Sequence, residues 1–304
     1  MAGRRLAFRA LRGWAADDHA AAFAAYRVSA GSLPPEWPRP DGTAPRAFFE
    51  SRFIPVRIGS GPALVTGYYE PEVAGALERD DVFRHPLHAP PPGLSAGGGS
   101  SRAEIVAGDL LAGLELVWLD SAVEAFLAQV QGSVRVRLRD GTIRRFGFAG
   151  KNGHPYRSIG AELIRRGEVP AAAMSAGAIR DWCARHPEAA PDLLNHNPSY
   201  VFFRPIDLPV DKGPLGAMGF PLTPGRSVAV DPAHVPLGAP AWLETGAMRV
   251  LAIAQDTGGA ITGPGRADLF CGTGRDAGEA AGTMRLSGRL VALLPAAIAG
   301  RVAP

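Results

Sequence analysis

Residues 254–282 read AQDTGGAITGPGRADLFCGTGRDAGEAAG, and this stretch decides the kind of fold the chain can adopt. Two short apolar runs each carry an aspartate, Asp256 at the end of the first and Asp268 near the start of the second. Between them lie Gly258, Gly259, Gly263, Pro264 and Gly265. A connection so poor in side chains turns tightly and lets a ligand approach the backbone. Upstream, SVAVDPAHVPLG (227–238) ends another strand-like run on a third aspartate, Asp231. An aspartate beside Gly or Pro commonly does no more than bond nearby backbone N–H groups. Singly, each of the three reads as a turn residue. Their recurrence at strand ends is what points to a site.

Working outward, the texture from Tyr200 onward is strand, turn, strand. SVAVD (227–231), PAWLE (240–244), RVLAIAQD (249–256), ADLFCG (267–272) and RLVALLP (289–295) are the expected strands. DAGEAAGTM (276–284) is expected as a helix, with Asp276 as N-cap and Glu279 at N3. Toward the N-terminus, RFIPVRI (52–58) and ALVTGYYEP (63–71) read as strands, preceded by helical spacing over Asp17–Ser29. In the middle, Ser121 and Glu124 form a capping box ahead of AVEAFLAQV. VRVRL, Asp140-Gly141 and TIRRFGF predict a hairpin. Further helices are expected from about Ala161 to Gly167 and from Ser175 through IRDWCARH, and a flexible loop over 89–99. No fixed period marks a repeat protein. The chain is therefore mainly β with minor α, its helices concentrated in the middle third.

Composition narrows the function classes. Gly (38) and Pro (28) make up more than a fifth of the 304 residues, which favours short strands and turns. No run approaches the ~20 apolar residues of a membrane-spanning helix. The pI of about 9.1 comes from arginines scattered among acidic neighbours, which argues against a nucleic-acid site. The local cluster Arg135, Arg137, Arg139, Arg144 and Arg145 reads as the solvated face of a strand pair. Cys183 and Cys271 lack any metal-site spacing and read as buried thiols, so no metal is expected. The opening MAGRRLAFRALRGWAADD has positive charge without a continuous apolar stretch, and a lipobox cysteine is not found.

Several long motifs carry a family resemblance. TGYYEP (66–71), KNGHPYRSIGAELIRRGEVP (151–170), NHNPSYVFFRP (195–205), GPLGAMGFPLTPGRSVAVDPAHVPLG (213–238) and the Asp256–Gly282 segment resemble, in this order, the membrane-bound lytic murein transglycosylase A family. GWAADDHAAAF fits the start of its mature domain, so the likeness covers almost the whole chain. The resemblance implies a double-psi β-barrel formed by residues 1–73 and 203–304. An inserted β-rich substrate-binding domain over 74–202 would interrupt it, with a groove between the two. The three aspartates correspond to those that name the family's C-terminal domain, and the catalytic one falls on Asp268. Relative to the family pattern, one more residue separates Asp256 from Asp268, in the loop ITGPGRA.

The chemistry that the resemblance implies suits a lone carboxyl. Ordinary glycosidases use two, one to protonate the leaving oxygen and one to activate water or form a covalent intermediate. A lytic transglycosylase lets the sugar's own 6-hydroxyl attack, so one group serves as acid and then as base. Asp268 takes that role here, with Asp256 and Asp231 as supports that hold loop backbone. Thr66, Gly67, Tyr68, Tyr69, Asn152, Tyr156, Ser158, Gln255, Gly258 and Gly259 are the expected substrate-binding residues. For the tyrosines, a core aromatic with a satisfied hydroxyl is an equal alternative. The expected substrate is peptidoglycan glycan, handled by a periplasmic monomer without cofactor, associated with the outer membrane or the wall-synthesis machinery. Two rivals stay open: a hydrolase using Asp256 as second carboxylate, and a non-catalytic wall-binding module of barwin or expansin type.

Overall fold

A computed structural model describes residues 3–94 and 99–300. Residues 95–98 of the expected flexible loop lie outside the described residues. The chain divides into two compact units. One comprises Met1–Tyr69, Asp211–Gly272 and Asp276–Pro304, the other Glu70–Val210 with Thr273–Arg275.

Among the described residues the strands follow in chain order: β1 (Gly3–Arg5), β2 (Ile54–Ile58), β3 (Ala63–Glu70), β4 (Glu72–Ala76), β5 (His85–His88), β6 (Glu115–Leu119), β7 (Ser133–Arg137), β8 (Ile143–Lys151), β9 (Val201–Ile206), β10 (Ser227–Val230), β11 (Pro240–Thr245), β12 (Arg249–Asp256), β13 (Arg266–Thr273) and β14 (Arg285–Leu294).

In the first unit the order is β1-β2-β14-β11-β12-β10-β13-β3, and β14 also pairs with β3. That last pairing closes six strands into a barrel. Strand β14 is long enough to do two jobs: Arg285–Gly288 bonds β3, and Val291–Leu294 bonds β2. The apolar run 289–295 announces only the second half. Its first half is half-exposed and alternates without strong hydrophobicity, so the closing segment is hidden from an apolar pattern. Pairing of β10 with β12 is parallel.

Buried aliphatics from the barrel wall pack with the helices His19–Ala30 and Pro45–Arg52 in one core that includes Trp242, Tyr26, Phe48 and Phe49. Helix His19–Ala30 buries Ala22, Ala25, Tyr26 and Ala30 on one stripe, and Asp18 caps it by accepting from the Ala21 N–H at 3.0 Å. Each fully buried large side chain contributes about 1.5–3 kcal/mol. Among the described residues, no helix is long and apolar enough to cross a membrane.

The second unit is a six-stranded sheet, β5-β6-β4-β7-β8-β9, with the β7–β8 hairpin turning through Gly141 at φ +84°. Several local expectations are corrected here. A helix does begin at Ala122, but Ser121 makes no capping bond, because the Glu124 carboxylate is drawn to Arg180 at 2.5 and 2.9 Å. In the barrel unit, helix Arg275–Thr283 begins one residue earlier than its reading, which moves Asp276 from the cap into the first turn. The arginine cluster also splits. Arg137 and Arg139 are exposed as expected, whereas Arg145 is buried, and with Arg135 it holds the fully buried Glu70 at 2.9 Å each. Thr273 adds a hydroxyl to the same carboxylate at 3.0 Å. Cys183 is buried, and Cys271 only partly so.

Candidate active site

Strand periodicity builds the site. Side chains two apart share a face, so Thr66 and Tyr68 stand together on β3, and Arg266, Asp268 and Phe270 on β13. Their neighbours Val65, Ala267 and Leu269 point the other way, into the barrel core. Thr66 donates its hydroxyl to Asp268 Oδ1 at 2.6 Å. Tyr68 donates to Asp256 Oδ2 at 2.7 Å, and its ring lies 5.4 Å from that of Phe270. One strand face thus supplies a hydroxyl to each of two aspartates.

The two carboxyls differ in what remains free. Asp256 is enclosed by donors: Oδ2 takes Tyr68, and Oδ1 takes the N–H groups of Ala217 and Thr257, both at 2.9 Å. Asp268 has one hydroxyl on Oδ1. Burial raises the pKa of Asp268, against the Thr66 hydrogen bond and the Arg266 charge, and the Asp256 charge adds to the rise. Burial likewise raises Asp256, opposed by Tyr68, Thr257 and Ala217. Tyr68 is pushed well above its ordinary value by burial and by the Asp256 charge, so it stays a donor. A raised pKa extends upward the pH range over which a carboxyl holds its proton, which is the direction a general acid needs.

Asp231 behaves otherwise. Its carboxylate accepts from Gly263 N at 2.6 Å and Ala233 N at 3.0 Å, bonds that lower its pKa. It ties the end of β10 to the glycine-rich loop between Asp256 and Asp268.

The remaining expected residues separate by burial. Gln255 has no solvent exposure and spends its amide on Ser227 at 2.6 Å, the Ala25 carbonyl at 3.0 Å and Ser29 at 2.8 Å, so it is core and not a substrate contact. Asn152 is likewise consumed: its amide donates to the Ser100 and Pro198 carbonyls and its oxygen accepts from Tyr200 N. Gly67 is a packing glycine. A Cβ there would lie 2.8 Å from Ala281 Cα and 2.9 Å from Cys271 Sγ. Tyr69 is buried against helix Arg275–Thr283, its ring 2.8 Å from where a Cβ of Gly278 would stand. Gly258 and Gly259 are exposed and neither has a positive φ, so neither position requires glycine for its backbone conformation. In the second unit, Ser158 caps helix Ile159–Arg165 through Ala161 N at 3.1 Å, and Tyr156 is 37% exposed. A concavity of about 510 Å³ in that unit is lined by Leu77, Arg144, Val210 and neighbours, and none of the expected site residues lines it.

Sequence reasoning missed Arg266. Its guanidinium donates to the Leu64 carbonyl at 3.0 Å and to Thr66 Oγ1 at 3.3 Å. Its position two residues before Asp268 was the available signal. Glu70 was also missed as a site of buried charge, since nothing local distinguishes it from a solvated strand end.

The chain's two ends form a closed barrel with a half-buried acid on its wall, and a separate β unit lies between them in sequence; two family models match these parts. An MltA specific insert domain matches residues 64–204, and a 3D domain matches 226–294. The membrane-bound lytic murein transglycosylase A of Escherichia coli K12 is 39% identical over 255 residues, 80% of this chain and 68% of that protein. The structure of a membrane-bound lytic murein transglycosylase from Agrobacterium tumefaciens superposes with a TM-score of 0.87 at 32% identity, covering 99% of each chain. E. coli MltA with bound chitohexaose gives 0.73 at 36% identity, over 83% of this chain and 79% of that one. The chain belongs to the membrane-bound lytic murein transglycosylase A family.

Proposed function

We propose that this chain cleaves the β-1,4 bond between N-acetylmuramic acid and N-acetylglucosamine in peptidoglycan, leaving 1,6-anhydromuramic ends, with Asp268 as the only acid/base. Protonated Asp268 gives its proton to the glycosidic oxygen as the bond to C1 breaks. The resulting carboxylate then takes the proton of the muramic 6-hydroxyl as O6 bonds C1. The cycle returns the acid and consumes no water.

One observation carries this reading over the hydrolytic one. The second carboxylate that a hydrolase needs would be Asp256, and both of its oxygens already accept strong donors. A carboxylate so saturated is a poor base for water. Asp256 and Asp231 therefore serve as supports for loop backbone.

In this proposal residues 1–73 and 203–304 supply the chemistry, and 74–202 bind glycan, with Tyr156 and Ser158 on the exposed surface of that insert. The enzyme acts as a monomer in the periplasm, at or near the outer membrane, where its substrate lies. Relatives named membrane-bound, and one holding chitohexaose, support the location and the sugar class.

Digestion of purified peptidoglycan tests the reaction. Products lacking one water at the muramic end and resisting borohydride are expected. Reducible ends as the main product would establish the hydrolase instead, and glycan binding with no cleavage would establish the binding module.

A further inference from the structure

Arg266 stands on the same strand face as Asp268, and the proposed reaction assigns it no step. Its two hydrogen bonds have fixed direction, because a guanidinium carries donors only and keeps its charge. Nη1 donates to the Leu64 carbonyl at 3.0 Å, which anchors the plane, and Nη2 donates to Thr66 Oγ1 at 3.3 Å. The Thr66 oxygen is thus a receiver on that side, and its own hydrogen must point elsewhere. Asp268 Oδ1, 2.6 Å away, takes it. With Oδ1 held as an acceptor, Oδ2 is the oxygen left to carry a proton.

The structure assigns to Arg266 a positioning role: acting through Thr66, it holds the Asp268 carboxyl in one orientation and selects Oδ2 as the oxygen that exchanges the proton with substrate.

The inference rests on Asp268 being the reacting acid, but the hydrogen-bond relay itself does not. The groups that bear on Asp268 are Thr66, Arg266, Asp256, Tyr68 and Cys271, and Arg285 is registered against Thr66 from β14. Tyr68 is held well above its ordinary pKa, and Cys271 is pushed up to about 11, so neither is charged at neutral pH. Near Asp268 the Arg266 charge favours the carboxylate, in opposition to burial and Asp256. Removing it therefore moves the Asp268 titration upward.

Two readouts separate the relay from the reaction. The first is the titration of the Asp268 carboxyl carbon, followed by NMR in aspartate-labelled protein. Arg266→Gln is expected to raise the midpoint, and Arg266→Lys, which keeps the charge, to leave it near that of the parent. The second is turnover. Arg266→Gln and Thr66→Val are each expected to lower kcat by about 10- to 100-fold with KM little changed, the size of effect that a misplaced reacting group produces. The double variant should be no slower than the worse single, because both changes break one chain of bonds. Arg266→Lys, which keeps the charge but loses the planar fork, is expected to retain only part of kcat.

An unmoved titration in Arg266→Gln overturns the inference whatever the reaction proves to be. So does a double variant whose losses multiply, since Arg266 would then act apart from Thr66. A raised midpoint together with reducible products would leave the relay standing and remove only the transglycosylase reading.

Discussion

Asp256 and Asp268 lie in one row across the barrel wall, each registered against Ala229 of the strand between them. Neighbouring strands run about 4.8 Å apart, so the two backbones are about 10 Å apart. Two full charges at that separation repel by about 1–2 kcal/mol at an effective dielectric of 20. That is enough to assist the rise in the Asp268 pKa, and too little to lead it. Burial is accordingly the largest cause, and the Asp256 charge the smallest of those acting on it.

The row predicts unequal consequences for isosteric replacement. Asp268→Asn can neither give nor take the transferred proton, and turnover should fall by about two to four orders of magnitude or more. Glycan affinity should persist. Asp256→Asn retains an acceptor for Tyr68 or for the backbone donors but not for all, and should lose less activity. Turnover and chito-oligosaccharide affinity, measured beside thermal melts, make the comparison. Substantial lysis by folded Asp268→Asn would end the mechanism, and a larger loss in Asp256→Asn would move the catalytic role there.

The same raised pKa has a stability counterpart with a definite sign. A carboxyl whose folded pKa lies above its unfolded value favours folding most when both states are protonated, and that advantage is lost as pH rises through the folded value. At neutral pH the charged form of Asp268 is therefore a burden on the fold. Asp268→Asn should melt higher than the parent at pH 7, and the difference should shrink as pH falls through the raised folded value and be gone below the ordinary aspartate value. A gap that widens toward acid would contradict the burial account.

Gly67 and Gly259 make a paired test of packing against ligand approach. Gly67→Ala forces a methyl against Ala281 and Cys271. It should cost about 1–3 kcal/mol, read as a lowered melt. Around Gly259 nothing lies within 4 Å of an added Cβ, and the residue is exposed. Gly259→Val should leave the melt nearly unchanged and lower activity if glycan runs over that loop. Full activity would place the loop away from substrate.

Glu70 is a fully buried charge of the second unit, with Arg135, Arg145 and Thr273 around it. Removing one partner of a buried pair leaves the other uncompensated and costs about 3–5 kcal/mol. Glu70→Gln should show that loss in urea denaturation. A loss under about 1 kcal/mol would mean that solvent already screens the pair, as it does for exposed ones.

Most of the local structure was legible because its causes are local. Alternation in VRVRL and TIRRFGF around Asp140-Gly141 produces the β7–β8 hairpin, and the apolar runs at 227–256 produce β10, β11 and β12. The capping box at Ser121 failed for a non-local reason. Glu124 found a stronger partner in Arg180, 56 residues away. Arg135 and Arg145 read as solvated by the same blindness, since their burial depends on Glu70 at positions 65 and 75 away.

The sequence by itself determined the family, through motifs spread from Thr66 to Gly282, and it singled out Asp268, Asp256 and Asp231 at strand ends. It also determined that the connection between Asp256 and Asp268 must be tight, because glycine and proline act on the backbone wherever they stand. The tertiary structure alone decided which groups meet. Thr66 reaches Asp268 across 202 residues of chain, and barrel closure by the unremarkable half of β14 depends on register with β3. Gln255 and Asp256 are adjacent in sequence, yet one is sealed in the core beneath helix His19–Ala30 and the other faces Tyr68. Successive side chains of a strand point to opposite faces, and only long-range packing settles which of those faces is covered.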